Sequence, residues 1–243
     1  MKKIEEGTWE IEKEGKMNVP GIVFANDELV STMGKDRTFQ QLKNVAMLPG
    51  IVNYSLLMPD GHEGYGFPIG GVAAFDMENG IISPGGVGYD INCGVRLIST
   101  PIKKEEAKKK IKELIGALFK NVPSGVGSKG KIRLKERELE DAVVRGIDWA
   151  IENGYGREED KERTEEKGKI EGADPSFVSK KAKSRGLPQF GNVGAGNHFV
   201  EIQEIEDVFL PDIAKKFGLE EGNIAIMIHC GSRGFGHQVC DDY

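Results

Sequence analysis

Four glycine-rich stretches of the 243-residue chain hold all four of its histidines and two of its three cysteines. In Met58 to Phe75 (MPDGHEGYGFPIGGVAAF), Asp60, His62 and Glu63 stand among glycines and prolines. Backbone N–H groups in such a loop can approach a ligand closely, and the polar side chains can converge on it. A tight multi-turn connection with solvated polar residues explains the same stretch. In Ser83 to Ile98 (SPGGVGYDINCGVRLI), Asp90 and Cys93 share a glycine-flanked turn that can aim an oxygen and a thiolate into one space, with Arg96 just beyond. A buried structural cysteine is the competing reading there. In Pro188 to Ile202 (PQFGNVGAGNHFVEI), a glycine turn delivers Asn197 and His198 to the mouth of a strand, which suits a metal or phosphate ligand. It is not a dinucleotide loop, because Phe199 stands where the third glycine of GxGxxG belongs. In Ile224 to His237 (IAIMIHCGSRGFGH), an apolar strand ends at His229, and Arg233 follows as a natural phosphate fork. Cys230 should point away from His229 into the core, by strand alternation. Together these stretches offer Asp, Cys and His donors beside Asn and Arg. Such a set suits a transition metal next to a phosphate, and ligand softness alone favours zinc.

The elements that must hold these residues alternate irregularly. Helical periodicity predicts helices over Thr38 to Leu48, Lys103 to Lys120, Leu134 to Asn153 and Asp207 to Phe217, with one opened by Asp174-Pro175 and running through Lys183. In the second, Ala107, Ile111, Leu114, Ile115 and Leu118 are the inward set. Strands are predicted at Ile22 to Ala25, Ile69 to Phe75, Val95 to Ser99, His198 to Gln203 and Ile224 to His229. No regular βαβ period joins them, so an α+β or irregular mixed α/β fold is expected. Residues 156–170, of mixed charge and almost no apolar content, read as an exposed loop or helix end. Gly125 to Lys131 matches GxxxxGK, but Ile132 replaces the Ser or Thr a P-loop requires, and no strong strand precedes it.

Composition narrows the class. Apolar residues are 38% and charged residues 30%, which excludes wholesale disorder. No apolar run approaches the roughly 20 residues of a membrane span, and the charged N-terminus lacks a signal core. Three cysteines without a CxxC pair exclude a disulfide scaffold and suit a reducing, cytoplasmic setting. A net charge of −6 argues against broad adhesion to nucleic acid, though a local site stays possible.

Five blocks in order, PDGHEGYGFPIGG, GGVGYDINCGVR, PSGVGSKG, GNVGAGNHFVEIQ and HCGSRGFGHQV, resemble the RtcB family of GTP-dependent RNA-splicing ligases. The resemblance implies an RtcB-like fold and an enzyme that joins a 2′,3′-cyclic phosphate or 3′-phosphate RNA end to a 5′-hydroxyl, using GTP and two Mn²⁺ ions. Manganese then replaces zinc as the expected metal. Asp90, Cys93, His198 and His229 would be metal ligands, with the Cys93 thiolate bridging. Asn197, His198, Phe199, Val200 and Glu201 would line the guanylate site, and Arg233 would meet the RNA phosphate. Family members run to about twice this length, and no histidine here matches the one that is guanylylated. Residues 1–243 are therefore expected to be the N-terminal part of a single catalytic domain, incomplete at its C-terminus and inactive alone. The missing half, the RNA ends and an activator such as archease are the implied partners. A metal-dependent cyclic phosphodiesterase and a non-catalytic RNA-end-binding subunit are the competing functions.

Overall fold

The computed structural model describes residues 1–125 and 127–243 and is α+β, as expected. Two compact units divide it: Met1–Tyr89 with Phe209–Pro211, and Asp90–Val208 with Asp212–Tyr243.

The first unit is a five-stranded sheet in the order β1-β2-β3-β4-β5. The hairpin of β1 (Lys2–Glu5) and β2 (Thr8–Ile11) turns at Gly7, whose φ is +74°. Its charged sequence masks the alternation of both strands. β3 (Gly21–Phe24) leads through α1 (Asp27–Met33) and α2 (Thr38–Val45) to β4 (Ile51–His62), which lies parallel to β3. A parallel pair needs such a crossover. Asn26 starts α1 by accepting a hydrogen bond from Leu29 N at 2.9 Å. Leu42 on α2 packs into a core with Val23 and Leu57, all three fully buried. β5 (Ile69–Phe75) has the expected bounds and closes the sheet antiparallel to β4. A short helix, α3 (Pro84–Val87), follows.

The glycine-rich stretch from Met58 is therefore strand as far as His62, with Pro59 and Gly61 accommodated where the β4–β5 register shifts between Leu57 and His62. Its polar groups serve the fold. Arg37 Nε donates to Glu63 Oε1 at 2.9 Å, Glu63 N donates to Asp36 Oδ2 at 3.2 Å, and the Gln41 amide pairs with both backbone groups of Gly64.

In the second unit the sheet runs β6-β8-β7, antiparallel throughout: β6 (Gly94–Lys103), β7 (Phe199–Glu204) and central β8 (Asn223–Cys230). Helix α4 (Lys104–Asn121) follows β6 directly. Its expected inward face holds only in part: Ala107 is buried, Ile111, Leu114 and Leu118 are half-buried, and Ile115 is 57% exposed. The first four recur at i, i+4, i+7 and i+11 along one line, and Ile115 lies beside that line with exposed Phe119.

The helix expected over Leu134 to Asn153 is two, α5 (Glu136–Arg145) and α6 (Ile147–Glu152). Gly146 breaks it with a φ of +53°, and a Cβ there would fall 2.2 Å from Gly168 O. Residues 156–170 carry one short helix, α7 (Glu158–Lys161), and a 3₁₀ turn at Glu165–Gly168. Asp174 caps a 3₁₀ turn, Pro175–Phe177, and Ser179 restarts the chain as α8 (Lys180–Gly186), so the single helix expected there is also divided. α9 (Pro211–Lys216) begins later than expected, at its proline, and α10 (Gly234–Asp242) was hidden by its glycines. The GxxxxGK stretch follows a helix, not a strand, with Val126 outside the described residues. Among the described residues no helix is long and apolar enough to cross a membrane.

Candidate metal centre

Sheet register builds the site in the second unit. Pairing of Gly94 with Cys230 places Cys93 just beyond the start of β6, beside the end of β8. Pairing of Phe199 with His229 places His198 at the same end of the sheet from the other side. Cys93 Sγ consequently lies 3.1 Å from His198 Nε2 and 3.1 Å from His229 Nε2. These three residues are the metal-capable cluster of His, Cys and acidic side chains found among the described residues.

The turn before β6 adds a carboxylate. Cys93 N donates to Asp90 O at 2.9 Å, and Asn92 takes a φ of +63°, a conformation that asparagine tolerates better than most residues. Asp90 Oδ2 then sits 3.1 Å from His198 Nε2. It is buried and has no hydrogen-bond partner. Gly231 makes room for it: a Cβ there would lie 2.5 Å from Asp90 Oδ2 and 2.9 Å from Cys93 Cα.

The tautomer of His198 follows from its other nitrogen. Nδ1 lies 2.9 Å from Val193 O, which can accept its proton and so leaves Nε2 able to present a lone pair to the cluster. Burial, reinforced by the Asp90 charge, pushes the Cys93 thiol up to about 11. A thiol, a carboxylate oxygen and imidazole nitrogens thus crowd together with few protons to share. A divalent cation satisfies that set, since an Asp90 carboxylate and a Cys93 thiolate supply two negative charges and the imidazoles supply neutral donors.

Arg233 borders this cluster. Its Nη1 is 3.3 Å from His198 Nδ1, and its guanidinium lies so close to Gly194 that a Cβ there would be 1.9 Å from Arg233 Cζ. The Arg233 backbone, at φ +57° and ψ −145°, occupies a region that is essentially glycine's.

The remaining expected residues are distributed by strand alternation. The Phe199 ring meets the His229 ring edge-on at 5.5 Å. Glu201 shares that face and accepts from Gln203 Nε2 at 2.9 Å, while the side chain of Val200 is turned to the other face. Asn197 is exposed. Cys230, expected in the core, is only half-buried, with its Sγ 3.5 Å from Asn192 O and 3.6 Å from Val193 O. Asp60, His62 and Glu63 belong to the first unit and form no part of the cluster.

Two residues near Asp90 were not legible in the sequence. Ser232 Oγ lies 2.7 Å from Asp90 Oδ1, and His237 Nε2 lies 4.0 Å from Asp90 Oδ2. The Ser232 signal was a lone serine in a glycine turn, a context too common to single out.

Comparison with known proteins agrees with the sequence resemblance. The family model described as tRNA-splicing ligase RtcB matches residues 41–243. A tRNA-splicing ligase RtcB of Thermococcus kodakarensis is 59% identical over all of this chain and 51% of its own length. Those of Aeropyrum pernix and Archaeoglobus fulgidus are each 54% identical over the same shares. The chain spans about half the length of the curated relatives it matches.

Proposed function

Because the chain belongs to the tRNA-splicing ligase RtcB family, we propose that it carries the metal-binding part of a GTP- and Mn²⁺-dependent ligase. The reaction joins 2′,3′-cyclic phosphate or 3′-phosphate RNA ends to 5′-hydroxyl ends. In this reading residues 1–243 are the N-terminal part of one catalytic domain. The observation that carries the proposal is the convergence of Cys93, His198 and His229 with the unpartnered Asp90 Oδ2, beside the Arg233 guanidinium.

Each residue has a distinct task. Asp90, Cys93, His198 and His229 would hold the Mn²⁺, Cys93 as its thiolate. The metal would supply positive charge to stabilise the oxygens of a phosphoryl group in transfer. The Arg233 fork grips the RNA phosphate. Phe199 and Glu201 present their side chains to the guanylate, joined by Asn197 and His198, while a Val200 contact on that face comes from its main chain. No residue here is assigned the guanylylated role, which falls to a histidine in the part of the family's sequence that this chain does not contain. The chain alone is therefore inactive in ligation. A cytoplasmic setting keeps Cys93 reduced, and archease is the kind of activator such an enzyme takes.

The test mixes the chain with GTP, Mn²⁺ and RNA bearing cyclic-phosphate and 5′-hydroxyl ends, with and without a polypeptide matching the relatives' second half. Joining only when both parts are present is the expected result. Joining by the chain alone contradicts the division of labour. Release of a 3′-phosphate without GTP would make it a phosphodiesterase, and tight end binding without turnover in either mixture would make it a binding subunit.

A further inference from the structure

We propose that Ser232 is a positioning residue for the metal centre, dividing the Asp90 carboxylate into one anchored oxygen and one oxygen left for a cation. The inference rests on the metal-centre reading above. Ser232 Oγ lies 2.7 Å from Asp90 Oδ1 and 2.5 Å from Ile91 O. Its single proton can serve either acceptor, so one hydroxyl links the carboxylate to the backbone of the Asp90 turn. The other oxygen, Oδ2, is buried, has no hydrogen bond and points toward His198 Nε2. Without the serine hydroxyl, Oδ1 loses the bond that fixes which oxygen is turned toward His198.

The surrounding turn is shaped around this contact. A Cβ on Gly236 would fall 1.9 Å from Ser232 Oγ, so only glycine there lets the serine seat. Gly231 similarly leaves space at Asp90 Oδ2. The glycine-like backbone of Arg233 sends the guanidinium toward Gly194 while its neighbour Ser232 faces Asp90. Three neighbouring features of Gly231 to Gly236 thus serve one arrangement. Partners that orient metal ligands typically change metal affinity by about 10–100-fold when removed.

Anaerobic Co²⁺ titration of the whole chain, followed by absorption, tests this. Ser232→Thr keeps the hydroxyl and Ser232→Val has the same shape without it, so the pair separates hydrogen bonding from packing. Thr is expected to keep wild-type Co²⁺ affinity and ligand-field bands. Val is expected to weaken binding by about 10–100-fold and shift those bands, while keeping the thiolate-to-cobalt charge-transfer band of Cys93. In an Asp90→Ala background, Ser232→Val should cause no further loss, because the serine acts through the aspartate. Wild-type affinity in Ser232→Val, equal losses in the Thr and Val variants, or a loss that persists without Asp90 would each overturn the proposal. A wild-type chain that takes up no Co²⁺ would instead overturn the metal-centre reading.

Discussion

Cys93 and His229 are 136 residues apart in sequence, and their Sγ and Nε2 atoms are 3.1 Å apart. The proximity comes from the β6–β8 register, in which Val95 faces His229 and Gly94 faces Cys230. A one-residue slip would turn His229 to the opposite side of the sheet. The cluster is therefore a property of the strand pairing, and Asp90, Cys93 and His198 sit on turns that the pairing brings together.

Gly231 offers a way to disturb the cluster with one methyl group. Its φ lies outside the left-handed range, and the new Cβ would lie 2.5 Å from Asp90 Oδ2 and 2.9 Å from Cys93 Cα. Gly231→Ala is expected to reduce Mn²⁺ affinity by at least about tenfold while the far-UV circular dichroism stays that of the wild type. Unchanged affinity would show that Asp90 does not face the ion.

The raised thiol gives the centre a pH dependence with a definite sign. With Cys93 pushed up to about 11, the metal-free thiol stays protonated throughout the neutral range, and an incoming cation must displace that proton. Apparent affinity should rise by about tenfold per pH unit for each proton displaced, from neutral pH up to the thiol's own value. Isothermal titration in buffers of different ionisation enthalpy would count the released proton. Cys93→Ser should bind more weakly and lose the thiol's part of the slope, and a wild-type affinity flat above neutral pH would contradict the assignment.

Strain at Arg233 separates function from stability. Arg233→Gly and Arg233→Ala remove the same guanidinium, but only glycine is at ease at φ +57° and ψ −145°. The glycine variant should be more stable than the alanine variant by about 1–3 kcal/mol in urea unfolding. Both should lose affinity for a 3′-phosphate RNA end. Equal stability of the two would mean the backbone strain is not held in solution.

In the first unit Gln41 is 6% exposed, and its amide bonds Gly64 through both of its polar atoms, at 2.7 and 2.9 Å. Gln41→Ala leaves the half-buried Gly64 N–H without its partner and Gly64 O with only the bond from Gly66 N, and is expected to cost about 1 kcal/mol. Faster amide exchange at Gly64 would be the local signature, and wild-type protection there would contradict the role given to Gln41.

Much of this architecture was legible in the sequence, and the failures have physical causes. β5 was placed on its true bounds because apolar residues ended cleanly at an aspartate. β6, β7 and β8 were located, with shifted ends. β4 is absent from the predicted strands: Pro59 and Gly61 imitate a loop, whereas a register shift accommodates them inside the strand. The break at Gly146 was missed because one glycine in an amphipathic pattern usually passes as a mild cost. The crowding against Gly168 that makes it a break is tertiary. At the site, residue types alone left Cys93 open to a structural reading, and the family blocks singled out Asp90, Cys93, His198 and His229. Ser232 was invisible because its meaning lies in a contact with Asp90 across the fold.

The most direct test of the account is an anaerobic Mn²⁺ titration of the chain, with free ion followed by electron paramagnetic resonance. Asp90→Ala, Cys93→Ala, His198→Ala and His229→Ala are titrated beside the wild type. The wild type is expected to deplete the free-ion signal and each variant to bind more weakly, Cys93→Ala most of all. Wild-type depletion by Cys93→Ala and His229→Ala would contradict a metal centre built at the β6–β8 pairing.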